Sequence, residues 1–300
     1  MGKIIVIGSS NTDMVVKCKK LPSPGETIIG GTFFMNPGGK GANQAVAAAR
    51  LNGNVTFVTK TGNDLFGDQA VHLFDIEGIE TKYIIKDPKS PSGIALIAVD
   101  ETGENCIVVA PGSNAALSAY DINEEVFKAD ISDVFLMQLE IPVSTVEYVA
   151  QRMAEKGNRV ILNPAPARQL PPDLLSSLYV ITPNEVEAEL LTGIRVVDVV
   201  TAEKAAEKLR EKGVRNVIIT MGAAGAFLLT DRISKVIQVV PVKPVDTTAA
   251  GDVFNGALAV AISEGKDLEE AVSFANRAAS ISVTRLGAQA SAPHRNEIHP

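Results

Sequence analysis

Residues 133–163 read DVFLMQLEIPVSTVEYVAQRMAEKGNRVILN. The stretch opens with a nearly continuous apolar run, Asp133–Gln138, and turns through Leu139-Glu140-Ile141-Pro142. A helical pattern follows over Ser144–Lys156, then a second apolar run, Arg159–Asn163. A short strand without polar alternation is buried on both faces, the habit of parallel sheets. Strand, crossover helix and strand together make a βαβ unit.

The same rhythm recurs on both sides of this unit. Further strand-like runs are Lys3–Gly8, Val55–Thr61, Leu178–Thr182 and Asn216–Thr220. Helical patterns cover Gly41–Leu51, Phe66–Glu77, Asn184–Leu191, Thr201–Lys212, Ala250–Glu264 and Leu268–Arg285. The expectation is an α/β fold around a mainly parallel central sheet. Two regions break the rhythm. Met14–Met35 holds β-like runs around Leu21-Pro22-Ser23-Pro24-Gly25, and Gly93–Ala110 alternates like a hairpin turning at Asp100–Glu104. They are expected to form a small inserted β-sheet, residues 13–36 and 92–110, suited to a lid; the α/β domain would then be 1–12, 37–91 and 111–300. An edge extension of the main sheet is the alternative.

Composition excludes several classes. Of 300 residues 46% are hydrophobic and 21% charged, and the net charge is −7. A chain of this length buries about three-quarters of its unfolded surface and needs no disulfide or metal staple. The acidic balance argues against nucleic-acid binding by phosphate neutralisation. The two cysteines, Cys18 and Cys106, lie far apart in the sequence and read as reduced thiols. Met1–Gly8 reads as a first strand and not a signal peptide, and no apolar run reaches the roughly 18 residues of a membrane span. A cytoplasmic protein without a membrane partner is expected.

Ligands of parallel α/β sheets bind beyond the carboxyl ends of the strands, so the strand exits carry the functional reading. After the first strand comes Gly8-Ser9-Ser10-Asn11-Thr12-Asp13, which lacks the dinucleotide glycine fingerprint. Asn11 and Asp13 are either turn formers or ligands for hydroxyl groups. Asn36–Ala45 holds Gly38-Gly39-Lys40-Gly41, but Gly41 replaces the Ser/Thr of a phosphate loop and the loop's first glycine is missing. Its glycines allow either close ligand approach at a helix start or a plain loop-to-helix turn. Glu140 is a strand-exit carboxylate, hydroxyl-binding or merely solvated. Asn184 and Glu187 have capping-box spacing, and could equally face phosphates and a hydrated Mg²⁺. Thr220-Met221-Gly222-Ala223-Ala224-Gly225 is a turn into the strand Ala226–Thr230, or a cradle for adenine or ribose.

The sharpest segment is Val245-Asp246-Thr247-Thr248-Ala249-Ala250-Gly251-Asp252-Val253-Phe254-Asn255-Gly256. Small residues precede an apolar helix. The N–H groups of Ala249, Ala250 and Gly251 would point out of its N-terminus, where the macrodipole favours anions. Asp252 in the first turn could take a proton from an attacking hydroxyl. The alternative is an Asp/Thr cap with an acidic first turn. His72, His294 and His299 have no hydrolase motif around them, and zinc spacing is absent.

Gly38-Gly39-Lys40-Gly41-Ala42-Asn43-Gln44-Ala45 and Asp246-Thr247-Thr248-Ala249-Ala250-Gly251-Asp252 resemble, in order and spacing, the ribokinase/phosphofructokinase-B family of sugar kinases. Asn163-Pro164-Ala165-Pro166-Ala167 and Asn184–Glu187 add to the resemblance, which runs from Ile4 to about Pro293. It implies a three-layer α/β/α fold and ATP-dependent phosphorylation of D-ribose at O5, with Asp252 as base and Gly251, Ala250 and Ala249 as anion hole. It further implies a sugar site at Asn11, Thr12, Asp13, Gly39, Lys40, Gly41, Ala42, Asn43, Glu140 and Asp252. Nucleotide would meet Asn184, Thr220–Gly225 (including Met221, Gly222, Ala223 and Ala224), Gly251, Asp252 and Asn276, with Glu187 organising Mg²⁺. Asp246 and Thr248 match a K⁺ motif, and Ser282, Arg285, Gly287 and Ser291 fill its C-terminal positions, some through backbone oxygen. The lid would pair two subunits as a homodimer. Competing expectations are a kinase for another furanose or a nucleoside (2-deoxyribose, fructose, adenosine) and a catalytically silent sugar-binding regulator. The lack of Trp disfavours a base-stacking pocket.

Overall fold

The structure, a computed structural model, describes residues 1–298; His299 and Pro300, the end of the expected 111–300 segment, lie outside the described residues. The first half of the chain forms β1 (Ile4–Ile7), β2 (Asn11–Lys17), β3 (Thr32–Gly38), α1 (Lys40–Arg50), β4 (Val55–Val58), β5 (Lys60–Gly62), α2 (Leu65–Ile76), β6 (Ile85–Asp87), β7 (Gly93–Val99) and β8 (Asn105–Ala110). The second half adds β9 (Val134–Met137), α3 (Val143–Glu155), β10 (Arg159–Leu162), α4 (Pro172–Ser176), β11 (Val180–Ile181), α5 (Glu185–Thr192) and α6 (Val199–Glu211). It closes with β12 (Asn216–Thr220), β13 (Ala226–Leu229), β14 (Ser234–Ile237), α7 (Ala250–Ser263) and α8 (Leu268–Ser282).

Eight strands form the central sheet in the order β14-β13-β12-β11-β10-β9-β1-β4. From β4 through β12 every pairing is parallel; β13 and β14 join antiparallel. Side chains alternate across the sheet, so each apolar strand feeds two cores. Ile4, Val6, Val134 and Leu136 pack with α1, α7 and α8 on one face. Ile5, Ile7, Phe135 and Met137 pack with α3, α5 and α6 on the other. Continuous apolar runs are thus the signature of a three-layer sandwich, as expected.

Some boundaries differ. The run Val55–Thr61 is divided: β4 stops at Val58, and Lys60–Gly62 leaves the sheet to pair with β6. Leu178–Thr182 contributes only two paired residues, Val180 and Ile181. The strand β14 was not anticipated, because Ser234 and Lys235 are exposed on the sheet edge and no apolar run marks it. Cys18 and Cys106 are unbridged. No helix among the described residues is long and apolar enough to cross a membrane.

The two exceptional regions build a separate four-stranded sheet, β3-β2-β7-β8, and not an edge of the main one. Its β7–β8 hairpin turns where expected, with Asp100 Oδ1 accepting from Thr102 N at 2.8 Å and Glu104 N at 3.1 Å. Pairing starts at Asn11 and runs to Gly38, two residues deeper at each end than 13–36. Register gives this sheet two characters. Met14, Val16, Phe33, Met35, Leu96 and Val108 share one face. All of these but the half-buried Met14 are exposed. Asn11, Asp13 and the buried Val15 share the opposite face, on the side of the main-sheet strand exits.

Candidate active site

The polar residues singled out at the strand exits converge over one end of the sheet, between the N-termini of α1 and α7. The approach of α1 explains Gly39. Its φ of 89° is left-handed, and a Cβ there would lie 2.7 Å from Asn11 N, so only glycine fits. Gly41 N donates to Ser9 Oγ and Ala42 N to Ser9 O, which pins α1 onto the β1–β2 loop. Gly41 and Ala42 are therefore packed against protein, while Lys40 and Asn43 remain at the cleft. Glu140 completes the joint: its Oε2 accepts from Ser9 Oγ at 2.5 Å and from Lys40 N at 2.9 Å. This carboxylate caps a helix start and is not simply solvated.

Asp252 is 5% exposed in the first turn of α7. Its Oδ2 accepts from Asn43 Nδ2 at 2.9 Å and its Oδ1 from Gln44 Nε2 at 3.0 Å. Burial pushes its pKa up, opposed by Lys40 and the two amides. Beneath it runs a buried polar network. Gln44 Nε2 also donates to Asn163 Oδ1 at 3.2 Å, and Gln138 Nε2 donates to Gln44 Oε1 at 2.6 Å. On the far side Thr182 Oγ1 donates to Asn255 Oδ1 at 2.7 Å, and Asn255 Nδ2 to Gly251 O at 2.8 Å.

Charge in the cleft is unbalanced. Lys40 stands among Asp252, Glu140 and Glu187; burial pulls its pKa down, but the three carboxylates outweigh this and raise it. Burial, assisted by Glu140, raises Asp13 to about 6. Glu187 is raised chiefly by burial. Asn43 Oδ1 is a buried acceptor with no donor among the described residues. A neutral polyol matches this set, since its hydroxyls donate to carboxylates and amide oxygen.

At the N-terminus of α7, Ala249 takes a left-handed φ of 58°. The expected donor set needs one correction: Ala250 N–H turns back to Thr247 O at 3.2 Å. Ala249, Gly251 and Asp252 instead have N–H groups without an acceptor among the described residues. A Cβ on Gly251 would meet no atom within 4 Å, so this glycine faces open space that an anion can enter.

Asn184 and Glu187 form the expected capping box, with bonds of 2.8 and 2.9 Å. Glu187 Oε1 is not used in the box, and such a hard oxygen suits hydrated magnesium. Thr220 bridges to Asn184, and Met221–Gly225 close the turn into β13, leaving Gly222, Ala223 and Ala224 exposed. Asn276 is buried, its amide donating to Ile237 O at 2.9 Å, so its side chain ties α8 to β14. Asp246 accepts from Thr248 N, Thr248 Oγ1 and Gly287 N at 2.9, 2.6 and 2.9 Å; burial raises its pKa, but these donors win and hold it low. Ser282 and Ser291 donate to carbonyls nearby, and Arg285 pairs with Glu297. Ser282 and Ser291 keep hydroxyl and backbone oxygen lone pairs, and Arg285 its backbone oxygen, to offer a cation, in keeping with the all-oxygen chemistry of potassium. No group of three or more His, Cys, Asp or Glu among the described residues is placed to hold a metal ion by side chains alone.

Gln44, Gln138, Thr182 and Asn255 were not assigned from the sequence. The available signal was polarity out of place: Gln44 and Asn255 interrupt apolar helices, and Gln138 ends an apolar strand.

A family model for pfkB carbohydrate kinases matches residues 1–295. The chain belongs to the pfkB family of carbohydrate kinases. Among pfkB relatives, the ribokinase of Haemophilus influenzae is 45% identical over 294 residues, 98% of this chain and 96% of that one. The solved ribokinase of Thermotoga maritima superposes with a TM-score of 0.91 at 44% identity, covering 99% of this chain and 98% of the other. Arabidopsis thaliana ribokinase, solved with ribose and ATP, gives a TM-score of 0.92 at 33% identity over 98% and 96% of the two chains. The pfkB fold thus accounts for both sheets.

Proposed function

We propose that this pfkB kinase transfers the terminal phosphoryl group of ATP to O5 of D-ribose, giving D-ribose 5-phosphate and ADP. The observation that carries the reading is Asp252, a buried carboxylate held by Asn43 and Gln44 beside unengaged N–H groups at the α7 N-terminus. A kinase base has to sit where the nucleophile and the anion site meet.

The sugar lies among Asn11, Thr12, Asp13, Gly39, Lys40, Asn43 and Glu140, with Gly41 and Ala42 placing α1 beneath it. Asn43 Oδ1 takes the hydroxyl donor that the protein does not supply. As O5 attacks, its proton passes to Asp252. The bond from O5 to phosphorus forms while the bond to the bridging oxygen of ADP breaks. The N–H groups of Ala249 and Gly251 receive the charge of the transferring group, each worth about 3 kcal/mol in comparable sites. The nucleotide extends past Asn184 and the Thr220–Gly225 turn toward Asn276 in the middle of α8.

Glu187 would help hold magnesium, which would supply charge neutralisation between the phosphates and this acidic cleft. Potassium, when bound by Asp246, Thr248 and backbone oxygens at Ser282, Arg285, Gly287 and Ser291, stiffens the anion loop and raises its positive potential. The small sheet closes over the sugar, and its outer apolar face pairs two copies of the chain. An exposed apolar patch of this kind marks an interaction surface.

The test is ADP formation with Mg²⁺ and K⁺ across D-ribose, 2-deoxyribose, fructose and adenosine. Turnover led by ribose, with ribose 5-phosphate as product, is expected. Turnover led by another acceptor overturns the specificity but keeps the chemistry; sugar binding without turnover on any of them overturns the kinase reading. Replacing K⁺ by tetramethylammonium should depress the rate, and equal rates reject the Asp246 cation site.

A further inference from the structure

We propose that Gln44 is a positioning residue for Asp252, and that Gln138 fixes which end of the Gln44 amide faces the carboxylate. The proposal rests on the reading of Asp252 as the base. An ionised carboxylate only accepts hydrogen bonds, so Gln44 must present nitrogen to it. Both amide hydrogens of Gln44 are committed, one to Asp252 Oδ1 at 3.0 Å and one to Asn163 Oδ1 at 3.2 Å. A primary amide can satisfy its shape equally well when flipped, and a flipped Gln44 would set oxygen against oxygen at Asp252. Gln138 opposes this, since its Nε2 donates to Gln44 Oε1 at 2.6 Å, and Asn163, whose Nδ2 donates to Thr182 O, offers Gln44 only its oxygen.

Gln44 and Gln138 are both fully buried, so water cannot take over either bond. Four elements meet at this one amide: α1 carries Gln44, α7 carries Asp252, and the ends of β9 and β10 carry Gln138 and Asn163. A neutral donor also suits the task. It stabilises the carboxylate without the full counter-charge that would suppress proton uptake. The charged groups acting on Asp252 come from other elements: Lys40 at the start of α1 favours ionisation, while Glu140 beyond β9 and Glu187 on α5 oppose it. Gln44 is thus a local donor to Asp252 whose effect is separable from theirs.

The experiment is the single-turnover rate of sugar phosphorylation from about pH 5 to 9 for wild type, Gln44→Met, Gln138→Leu and Asp252→Asn. Losing the donor favours protonated Asp252, so the acid limb of Gln44→Met should move up by about one pH unit, roughly a tenfold loss below the limb. Sugar KM should stay within about twofold. Gln138→Leu, which touches neither Asp252 nor sugar, should move the limb in the same direction by less. It also serves as the test if Gln44→Met does not fold. Limbs that stay in place, with rates lowered equally at every pH, overturn the positioning role while an inactive Asp252→Asn leaves the base intact. Near wild-type turnover by Asp252→Asn overturns both.

Discussion

Asn43 Nδ2 donates to Asp252 Oδ2 across 2.9 Å, although 209 residues separate them in the chain. The bond joins the start of α1 to the start of α7, and so joins the two sequence segments that carry the chemistry. Neither segment makes a site alone. On the proposed reading, one brings the hydroxyl-binding groups and the other brings the base and the anion donors.

Replacing the base should separate binding from chemistry. Asp252→Asn keeps the shape of the side chain but removes the proton acceptor. The kcat should fall by about 10²–10⁴, with the sugar KM changed only a few-fold. Thermal stability should change by no more than about 1–3 kcal/mol, because removal of a buried charge is offset by the donor of Asn43 or Gln44 that the new amide nitrogen leaves unpaired. Steady-state kinetics and a melting curve measure both.

The raised Asp13 carboxyl makes stability depend on pH with a defined sign. Its folded value, about 6, lies above the 3.8 of an exposed aspartate. The folded chain therefore binds more protons between those values, and stability falls as pH rises through that window. Asp13→Asn lacks this loss. Urea denaturation should show the variant gaining on wild type between about pH 4 and pH 7. Parallel stability curves would contradict the raised carboxyl. Ionised Asp13 is also the better acceptor for sugar hydroxyls, so kcat/KM for sugar should climb over the same range.

Gly251→Ala should uncouple folding from function. The added Cβ meets no atom within 4 Å, and alanine favours a helix over glycine by about 0.5–1 kcal/mol. Melting temperature should hold or rise. Phosphoryl transfer should fall at least about tenfold, because the methyl group occupies the approach to the N–H donors. A variant as active as wild type would place the phosphoryl group elsewhere.

The outer face of the small sheet is tested by charge. Leu96 is 50% exposed between Met14 and Val108, so Leu96→Glu is tolerated by the single chain and opposed in a pair. Sedimentation should show a dimer for wild type and a monomer for the variant. Identical sedimentation would remove this face from pairing.

Much of the architecture was legible because the main-sheet strands are buried on both sides and keep unbroken apolar runs, as in Asp133–Gln138. The small sheet was legible for the opposite reason, its alternation and its Asp100–Glu104 turn. The edge strand β14 was hidden because Ser234 and Lys235 face solvent. In the site, the Asn184–Glu187 box followed from spacing alone, since both partners lie on one helix turn. Ala250 did not follow, because its N–H is diverted by a turn to Thr247 that helical spacing does not encode. Gln44 and Gln138 escaped assignment for a related reason. Their task is defined by α1, α7, β9 and β10 meeting in space, and no local pattern reports such a junction.

The surplus of acid around Lys40 also bears on the end of the cycle. Glu140, Glu187 and Asp252 face a single ammonium, and Asp13 stands beside Glu140. A free sugar enters without charge and is held by hydrogen bonds alone. Phosphorylation gives it about −1.5 to −2 charges in a cleft already negative. Once ADP and its metal depart, the cleft repels what it has made. Electrostatics then favours release of the phosphorylated sugar over its retention.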